Sequence, residues 1–163
     1  MAETGISRRQ LGLVAATAAL GLVTGAVAQA AINRSAPIDT FDGRDEIVEE
    51  CTNKTSFVTV PKMVRTFTLG GGADEEVVVM FQGSLSLGTE DTFDTGFLRL
   101  TIDGVEQSPG EVPAIAPGER GTHGFNWQSE PLVPGSHTAR VQWRTDLGNT
   151  LCADARSVIV LHT

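Results

Sequence analysis

The chain has 163 residues, a formal net charge of -8 at pH 7 and a sequence pI of about 4.8. An acidic surface of this kind repels nucleic acid and anionic lipid headgroups, so the composition argues against both as partners. About 130 residues follow Ala30, which is enough for one domain, since domains most often have about 100 to 150 residues.

The N-terminus carries the parts of a secretory signal. A serine and two consecutive arginines precede a variable residue, a leucine and a long uncharged run of Ala, Gly, Leu and Val. Small residues then stand in an A-x-A arrangement, in two overlapping registers. A signal peptidase substrate needs a charged region, an apolar region and small residues of this kind. The residues that carry the pattern are Ser7, Arg8, Arg9, Leu11, Ala26, Ala28 and Ala30.

This arrangement resembles the twin-arginine export signal of bacteria. The resemblance implies export of the folded chain by the twin-arginine translocase, followed by signal peptidase cleavage before Gln29 or Ala31. We therefore predict a signal peptide over residues 1–30 and an extracytoplasmic location, secreted or in the cell envelope. The alternative is an uncleaved membrane anchor, because about 20 apolar residues can span a bilayer, but the threonines and glycines make this run weakly hydrophobic. The signal implies no particular cofactor, and we expect none.

The two cysteines, Cys51 and Cys152, predict one disulfide in an oxidising compartment. Such a bridge would tie the first strand to the last and close a loop of about 100 residues, which contributes about 4 to 5 kcal/mol in the chain-entropy model. The alternatives are two reduced, buried thiols or a catalytic pair. The C-x-x-C spacing of redox catalysts is not present.

Residues 31–50 are polar and acidic and have no sustained period, which predicts a linker. The domain itself is expected over residues 51–163. There, short β-branched or alternating runs are separated by Gly, Pro, Asp and Ser, which is typical of strands. The fold class predicted is all-β, an antiparallel β-sandwich or jelly roll of about seven to eight strands. The candidate strands are residues 56–60, 63–69, 76–82, 97–103, 121–128, 137–144 and 157–162.

The alternation of apolar and polar residues predicts which side of each strand faces the core. Residues 77–81 are apolar at every position, which predicts a central strand covered on both faces. The residues predicted to point inward on the other strands are Leu98, Leu100, Ile102, His123, Phe125, Trp127, His137, Ala139, Val141 and Trp143.

The segment from Gly135 to Trp143, with Pro134 before it, resembles a strand entry of the form P-G-x-H-x-x-x-V. This pattern is common in secreted bacterial β-sandwich proteins of uncharacterised role. The resemblance implies a turn followed by a strand, and it assigns no catalytic residue.

No catalytic motif is recognisable in the sequence. The serines between Gly83 and Gly88 have the wrong spacing for a nucleophile elbow, and H-E-x-x-H does not occur. His123 or His137 could serve a triad on an unrelated fold. Because both fall on predicted inner faces, a hydrogen-bonded core or rim histidine is the favoured interpretation.

Two surface features are candidate binding sites. The acids Glu90, Asp91 and Asp94 lie in one loop and could offer oxygen ligands to calcium, although acidic loops are usually only solvated. A polar platform on the outer faces of the strands could recognise an envelope glycan, although the solvent face of any antiparallel sheet has similar residues. The platform residues are Arg99, Asn126, Gln128, Arg140, Gln142 and Arg144.

The sequence thus predicts a secreted β-sandwich protein without catalytic activity. A glycan-binding module of the cell envelope and a small secreted hydrolase with an unrecognised site are the alternatives. A further alternative is an envelope subunit that assembles through exposed sheet edges, for which the apolar run at residues 77–81 is the hint.

Overall fold

A computed structural model describes residues 40–72 and 74–162, with side chains from Asp45 onward. These residues form ten β-strands, and none of them lies in a helix that is long and apolar enough to cross a membrane. The predicted signal peptide lies outside the described residues. The strands are β1 (Thr40–Glu46), β2 (Glu50–Thr52), β3 (Val58–Leu69), β4 (Val78–Leu87), β5 (Gly96–Ile102), β6 (Val105–Glu106), β7 (Val112–Ile115), β8 (Arg120–Gln128), β9 (Gly135–Thr145) and β10 (Leu151–His162).

The strands form two antiparallel sheets. In the first sheet the order is β1-β10-β4-β8, and β2 also pairs with β10. In the second sheet the order is β3-β9-β5-β6, and β7 also pairs with β5. Strands that are neighbours in a sheet are mostly distant in sequence, as crossover connections between two packed sheets require. The predicted all-β sandwich is confirmed.

The core lies between the sheets and is built by alternate residues of each long strand. Leu98 and Leu100 of β5 and Val141 and Trp143 of β9 have no exposed surface, as predicted. Full burial of an aliphatic or aromatic side chain contributes about 1.5 to 3 kcal/mol. In β8 the inward side is less well covered: Trp127 is buried, but His123 and Phe125 are only half-buried.

The predicted acidic linker is wrong for residues 40–46, which pair with β10 along their whole length as β1. Backbone hydrogen bonds need no alternation of side chains, and charged side chains are common on edge strands. β1 therefore lacks the pattern by which strands are recognised in a sequence.

Two other predictions about strands are corrected. The strands predicted at residues 56–60 and 63–69 are one strand, β3, which begins at Val58. Its register shifts between Thr59 and Val64, at an irregularity where Lys62 has a φ of 64°. β4 is central in its sheet as predicted, but only one of its faces is covered, since Met80 remains 38% exposed. The outer face of β4 is apolar at Val78 and Met80 and polar beyond them, at Gln82, Ser84 and Ser86.

The predicted disulfide joins Cys51 and Cys152. The two residues are directly opposite each other in β2 and β10, so the bridge ties the second strand to the last. The cysteines are 101 residues apart in the sequence. Because the bridge closes such a long loop, it restricts the unfolded chain more than it reshapes the folded one.

We expect replacement of both cysteines by serine to lower the free energy of unfolding by about 3 to 5 kcal/mol, because the loop constraint is lost. Urea unfolding of the purified mature domain measures this. A double alanine variant is the matched control and should lose the same amount, since the covalent link is the common loss. A double variant within about 1 kcal/mol of the native protein would contradict the prediction.

Candidate functional site

The structure divides the predicted polar platform between the two sheets. Arg99 of β5 and Arg140, Gln142 and Arg144 of β9 lie on the outer face of the second sheet. Asn126 and Gln128 belong to β8, at the edge of the first sheet. The six residues therefore do not form one surface. The alternation within a strand predicts the face of a residue, but not the sheet to which its strand belongs.

Three of the residues on the second sheet, Arg99, Gln142 and Arg144, form a compact cluster with two aromatic rings that are not part of the predicted platform. We call Phe57, Phe97, Arg99, Gln142 and Arg144 the ring–guanidinium ladder. Phe97 lies opposite Arg144, and Arg99 lies opposite Gln142. Phe97 could have been assigned to this cluster from the sequence, because an aromatic residue on the outward side of a strand indicates a possible contact surface. Phe57 precedes β3, and no sequence pattern indicates its place.

Both guanidinium groups of the ladder lie over aromatic rings. The Cζ atom of Arg99 is 4.1 Å from the ring centroid of Phe57. The Cζ atom of Arg144 is 4.4 Å from the centroid of Phe97 and 5.3 Å from that of Phe57. These distances are within the range of about 6 Å in which a cation is attracted to a ring face. The Arg99 Nε also donates to the Gln142 Oε1 at 2.8 Å.

Carboxylates at the margin pair with both guanidinium groups of the ladder. The Arg99 Nη1 donates to the Glu106 Oε2 at 2.8 Å, and the Arg144 Nη2 donates to the Glu111 Oε1 at 2.6 Å. Arg144 also pairs with Asp146. The hydrogen bonds that Arg144 donates to Glu111 and Asp146 outweigh burial and raise the pKa of Arg144. Two guanidinium groups thus face three carboxylates, and the ladder has no excess positive charge.

His137 is held in place by two acceptors. Its Nδ1 is 2.7 Å from the Asp103 Oδ2, and its Nε2 is 2.8 Å from the carbonyl oxygen of Val133. Both nitrogens must donate to satisfy these contacts, so the geometry favours the imidazolium form. Burial lowers the pKa of His137, but the bonds to Asp103 and Val133 outweigh it, so the pKa is raised overall. Because Nε2 is occupied, His137 is not placed to take a proton from a nucleophile.

The pKa of Asp103 is shifted in the opposite direction. Burial raises it, but the hydrogen bonds from His137 and from the backbone N–H of Thr138 outweigh burial and lower it overall. The second candidate histidine, His123, is half-buried on β8 and stacks on Phe125, with ring centroids 6.5 Å apart. The histidines are thus placed as the favoured interpretation predicts, one in a hydrogen-bonded pair and one at the rim of the core.

We expect the His137–Asp103 pair to make stability depend on pH. With the pKa of His137 raised, its contribution is complete below its ordinary pKa of about 6.5 and is lost as the pH rises through the raised value. With the pKa of Asp103 lowered, its contribution is complete above its ordinary pKa of about 3.9 and is lost as the pH falls through the lowered value.

Asp103→Asn should remove most of the loss of stability on the alkaline side, as measured by urea unfolding from about pH 5 to about pH 9. The control is Glu130→Gln, an exposed site, which should behave like the native protein. Parallel declines of the native protein and Asp103→Asn above about pH 6.5 would contradict the prediction.

The acidic loop places one of its three candidate calcium ligands at the centre of a hydrogen-bond network. Asp94 is only 1% exposed. Its Oδ1 accepts from the backbone N–H groups of Thr95, Asp146 and Leu147 at 2.7 to 2.9 Å, and its Oδ2 accepts from that of Asn149 at 2.7 Å. Burial raises the pKa of Asp94, but these four bonds outweigh it and lower the pKa overall. The carboxylate holds the loop before β5 against the loop between β9 and β10.

The other two acids of this loop do not join Asp94 in a ligand cluster. Asp91 accepts from the N–H of Phe93 through its Oδ1 at 2.8 Å, and Glu90 is exposed. Among the described residues, the group of three potential metal ligands with atoms within 4.8 Å of one another is Glu49, Cys51 and Cys152. Its two sulfur atoms are already joined in the disulfide.

We expect Asp94→Ala to lower the free energy of unfolding by about 3 kcal/mol or more, because four N–H groups lose a charged acceptor. Glu90→Ala, in the same loop but exposed, should change it little. Adding calcium or a chelator should leave the melting temperature of the native protein unchanged, since the Asp94 oxygens are already occupied. A rise of the melting temperature with calcium would show that the loop binds the ion.

The outer face of the first sheet carries two adjoining grooves. The larger has a volume of about 330 Å³ and the smaller about 250 Å³, and Gln82 and Ser157 line both. Neither groove is lined by His123 or His137. The other polar residues of the larger groove are Asp45, Glu46, Ser84, Thr122 and Arg156.

Comparison with known proteins supports the fold but no family. No family model matches this chain, and no curated protein does. The VP2 subviral particle of infectious bursal disease virus is 9% identical, with a TM-score of 0.50, and the match covers 76% of this chain and 33% of that chain. The C-terminal domain of EclA, a sugar-binding protein, is 14% identical, with a TM-score of 0.40, and the match covers 73% of this chain and 78% of that chain. This chain spans about a third of the VP2 chain, and such low identity shows the β-sandwich fold alone.

Proposed function

We propose that this protein is a secreted, non-catalytic β-sandwich that binds a neutral, hydroxyl-rich glycan of the cell envelope through the ring–guanidinium ladder. The observation that carries the proposal is the stacking of Arg99 and Arg144 on Phe57 and Phe97 across the outer, partly exposed face of the second sheet. The resemblance of the N-terminus to a twin-arginine signal and the disulfide support an extracytoplasmic location.

The ladder has the chemistry to bind sugar hydroxyl groups. A hydroxyl both donates and accepts a hydrogen bond, so a surface with guanidinium donors beside carboxylate acceptors suits it. Arg99 with Glu106, and Arg144 with Glu111, place a donor and an acceptor side by side. The rings of Phe57 and Phe97 add apolar surface next to these pairs. Together they offer both kinds of contact that a sugar ring needs.

The charge balance favours a neutral glycan over an anionic one. Each of these guanidinium groups already has a carboxylate partner, and the chain as a whole carries a net charge of -8. An anionic ligand would have to displace those carboxylates and approach an acidic protein. A neutral ligand can bind without breaking the ion pairs.

The ladder is also preorganised. Long side chains such as arginine normally lose rotamer freedom when they bind a ligand, and this loss weakens the affinity. Here the ring contacts, the Gln142 amide and the ion pairs hold Arg99 and Arg144 before any ligand arrives. Folding has already ordered both side chains, so a ligand binds without that loss of rotamer entropy.

We expect neutral polysaccharides to raise the melting temperature of the mature domain, and Phe57→Ala and Arg99→Ala each to weaken binding about tenfold, or about 1.4 kcal/mol. Calorimetry with a soluble β-glucan, a mannan and peptidoglycan fragments measures the affinity. An anionic polysaccharide serves as the comparison for charge and should bind more weakly.

The matched controls are Gln82→Ala and Asn126→Ala, which remove polar side chains from the outer face of the first sheet. Both should bind as the native protein does. If the control variants lose as much affinity as Phe57→Ala, the glycan binds elsewhere. If no polysaccharide binds while all variants keep their melting temperatures, the ladder is not a glycan site.

A further inference from the structure

Among the described strands, three of the four sheet edges carry features that prevent pairing with another strand. β3 is interrupted by an irregularity that contains Pro61 and Lys62. β6 and β7, at the other edge of the second sheet, have two and four residues, and β7 contains Pro113. In β1 four of the residues are charged. Proline, lysine, bulges, short strands and rows of charge are the usual protection of sheet edges.

β8, the remaining edge, has none of these features. Its nine residues pair with β4 without a shift of register, contain no proline and include one charged side chain, that of Arg120. Within the described part of the chain, the other pairing along this edge is a bridge between Ser108 and Gln128, where the N–H of Gln128 donates to the Ser108 carbonyl oxygen. The stretch from Arg120 to Asn126 is therefore open.

Two rings beside this open edge are incompletely covered. His123 and Phe125 point to the same side of β8 as the buried Trp127, yet both remain half-exposed. Their rings stack at a centroid distance of 6.5 Å with an interplanar angle of 12°. A strand added at this edge would cover both rings. The open backbone edge and the half-exposed rings therefore both indicate that another strand can bind along β8.

We propose that β8 pairs antiparallel with β8 of a second copy of this chain, about a two-fold axis at His123. The open stretch is self-complementary in this register. Gly121 lies opposite Phe125 of the second copy, so an aromatic side chain covers a glycine that has none of its own. Thr122 lies opposite Gly124, and Arg120 lies opposite Asn126. No two like charges face each other in this pairing.

This register also keeps the two faces of the sheet in agreement. Gly121, His123 and Phe125 alternate with Thr122, Gly124 and Asn126 along β8. Each proposed pair joins residues of the same set, as opposite residues in antiparallel strands must point to the same side. The closed two-fold arrangement uses both open edges and leaves neither available for further growth.

The test is the mass of the mature domain by light scattering over a range of concentrations, and a monomer–dimer equilibrium is expected. The variant Thr122→Lys with Gly124→Lys places lysines opposite each other in both halves of the pair, and should raise the dimer dissociation constant at least about tenfold. The folded monomer should tolerate it, since Thr122 is exposed and a side chain at Gly124 meets only the Phe81 carbonyl oxygen, at 4.0 Å. The matched control is Thr66→Lys with Thr68→Lys, at exposed sites on β3, which should dimerise like the native protein.

Cross-linking tests the register. The native cysteines are paired with each other, so His123→Cys would introduce a single thiol directly opposite its own copy. A disulfide-linked dimer on a non-reducing gel is expected for His123→Cys and not for Gln82→Cys on the neighbouring strand. A native protein that stays monomeric at all concentrations overturns the proposal. The proposal is also overturned if the double lysine variant dimerises as the native protein does. It is likewise overturned if His123→Cys gives no disulfide-linked dimer.

Discussion

The antiparallel register between β5 and β9 connects the core of this protein to its candidate binding face. On the inner side it sets Leu98 opposite Trp143 and Leu100 opposite Val141, all without exposed surface. On the outer side the same register sets Phe97 opposite Arg144. A shift by one residue would turn both sets to the wrong face. The burial of the inner residues therefore stabilises the outer arrangement as well.

The buried polar groups of this fold organise loops and join the sheets. Asp94 gathers four backbone N–H groups and so fixes two loops against each other. Arg156 of β10 is 3% exposed, and its guanidinium group donates to carbonyl oxygens that include that of Pro61, in the opposite sheet. Buried polar groups are costly unless they are bonded, and these groups are bonded extensively. In this protein, polar residues that would suggest a binding or catalytic role in the sequence instead stabilise the fold.

The ladder and the edge of β8 are different kinds of surface, and each follows from its strand's place in the fold. β9 is flanked on both sides, so its backbone is satisfied and only its side chains are available for binding. β8 has a neighbour on one side, so its backbone can also bind. The first surface suits a ligand that is recognised by side chains, and the second suits another strand.

The sequence by itself determined the all-β class, the inward residues of β5 and β9, and the partners in the disulfide. These depend on local alternation, turn residues and a cysteine pair, which a linear pattern records. Only the tertiary structure decided that β1 is a strand and that Asn126 and Gln128 lie on a different sheet from Arg99. It also decided that the Phe57 ring lies against the Arg99 guanidinium group. The reason is physical: which strands become neighbours depends on contacts between residues far apart in the chain. The edge pairing of β1 is made by backbone groups that every residue shares.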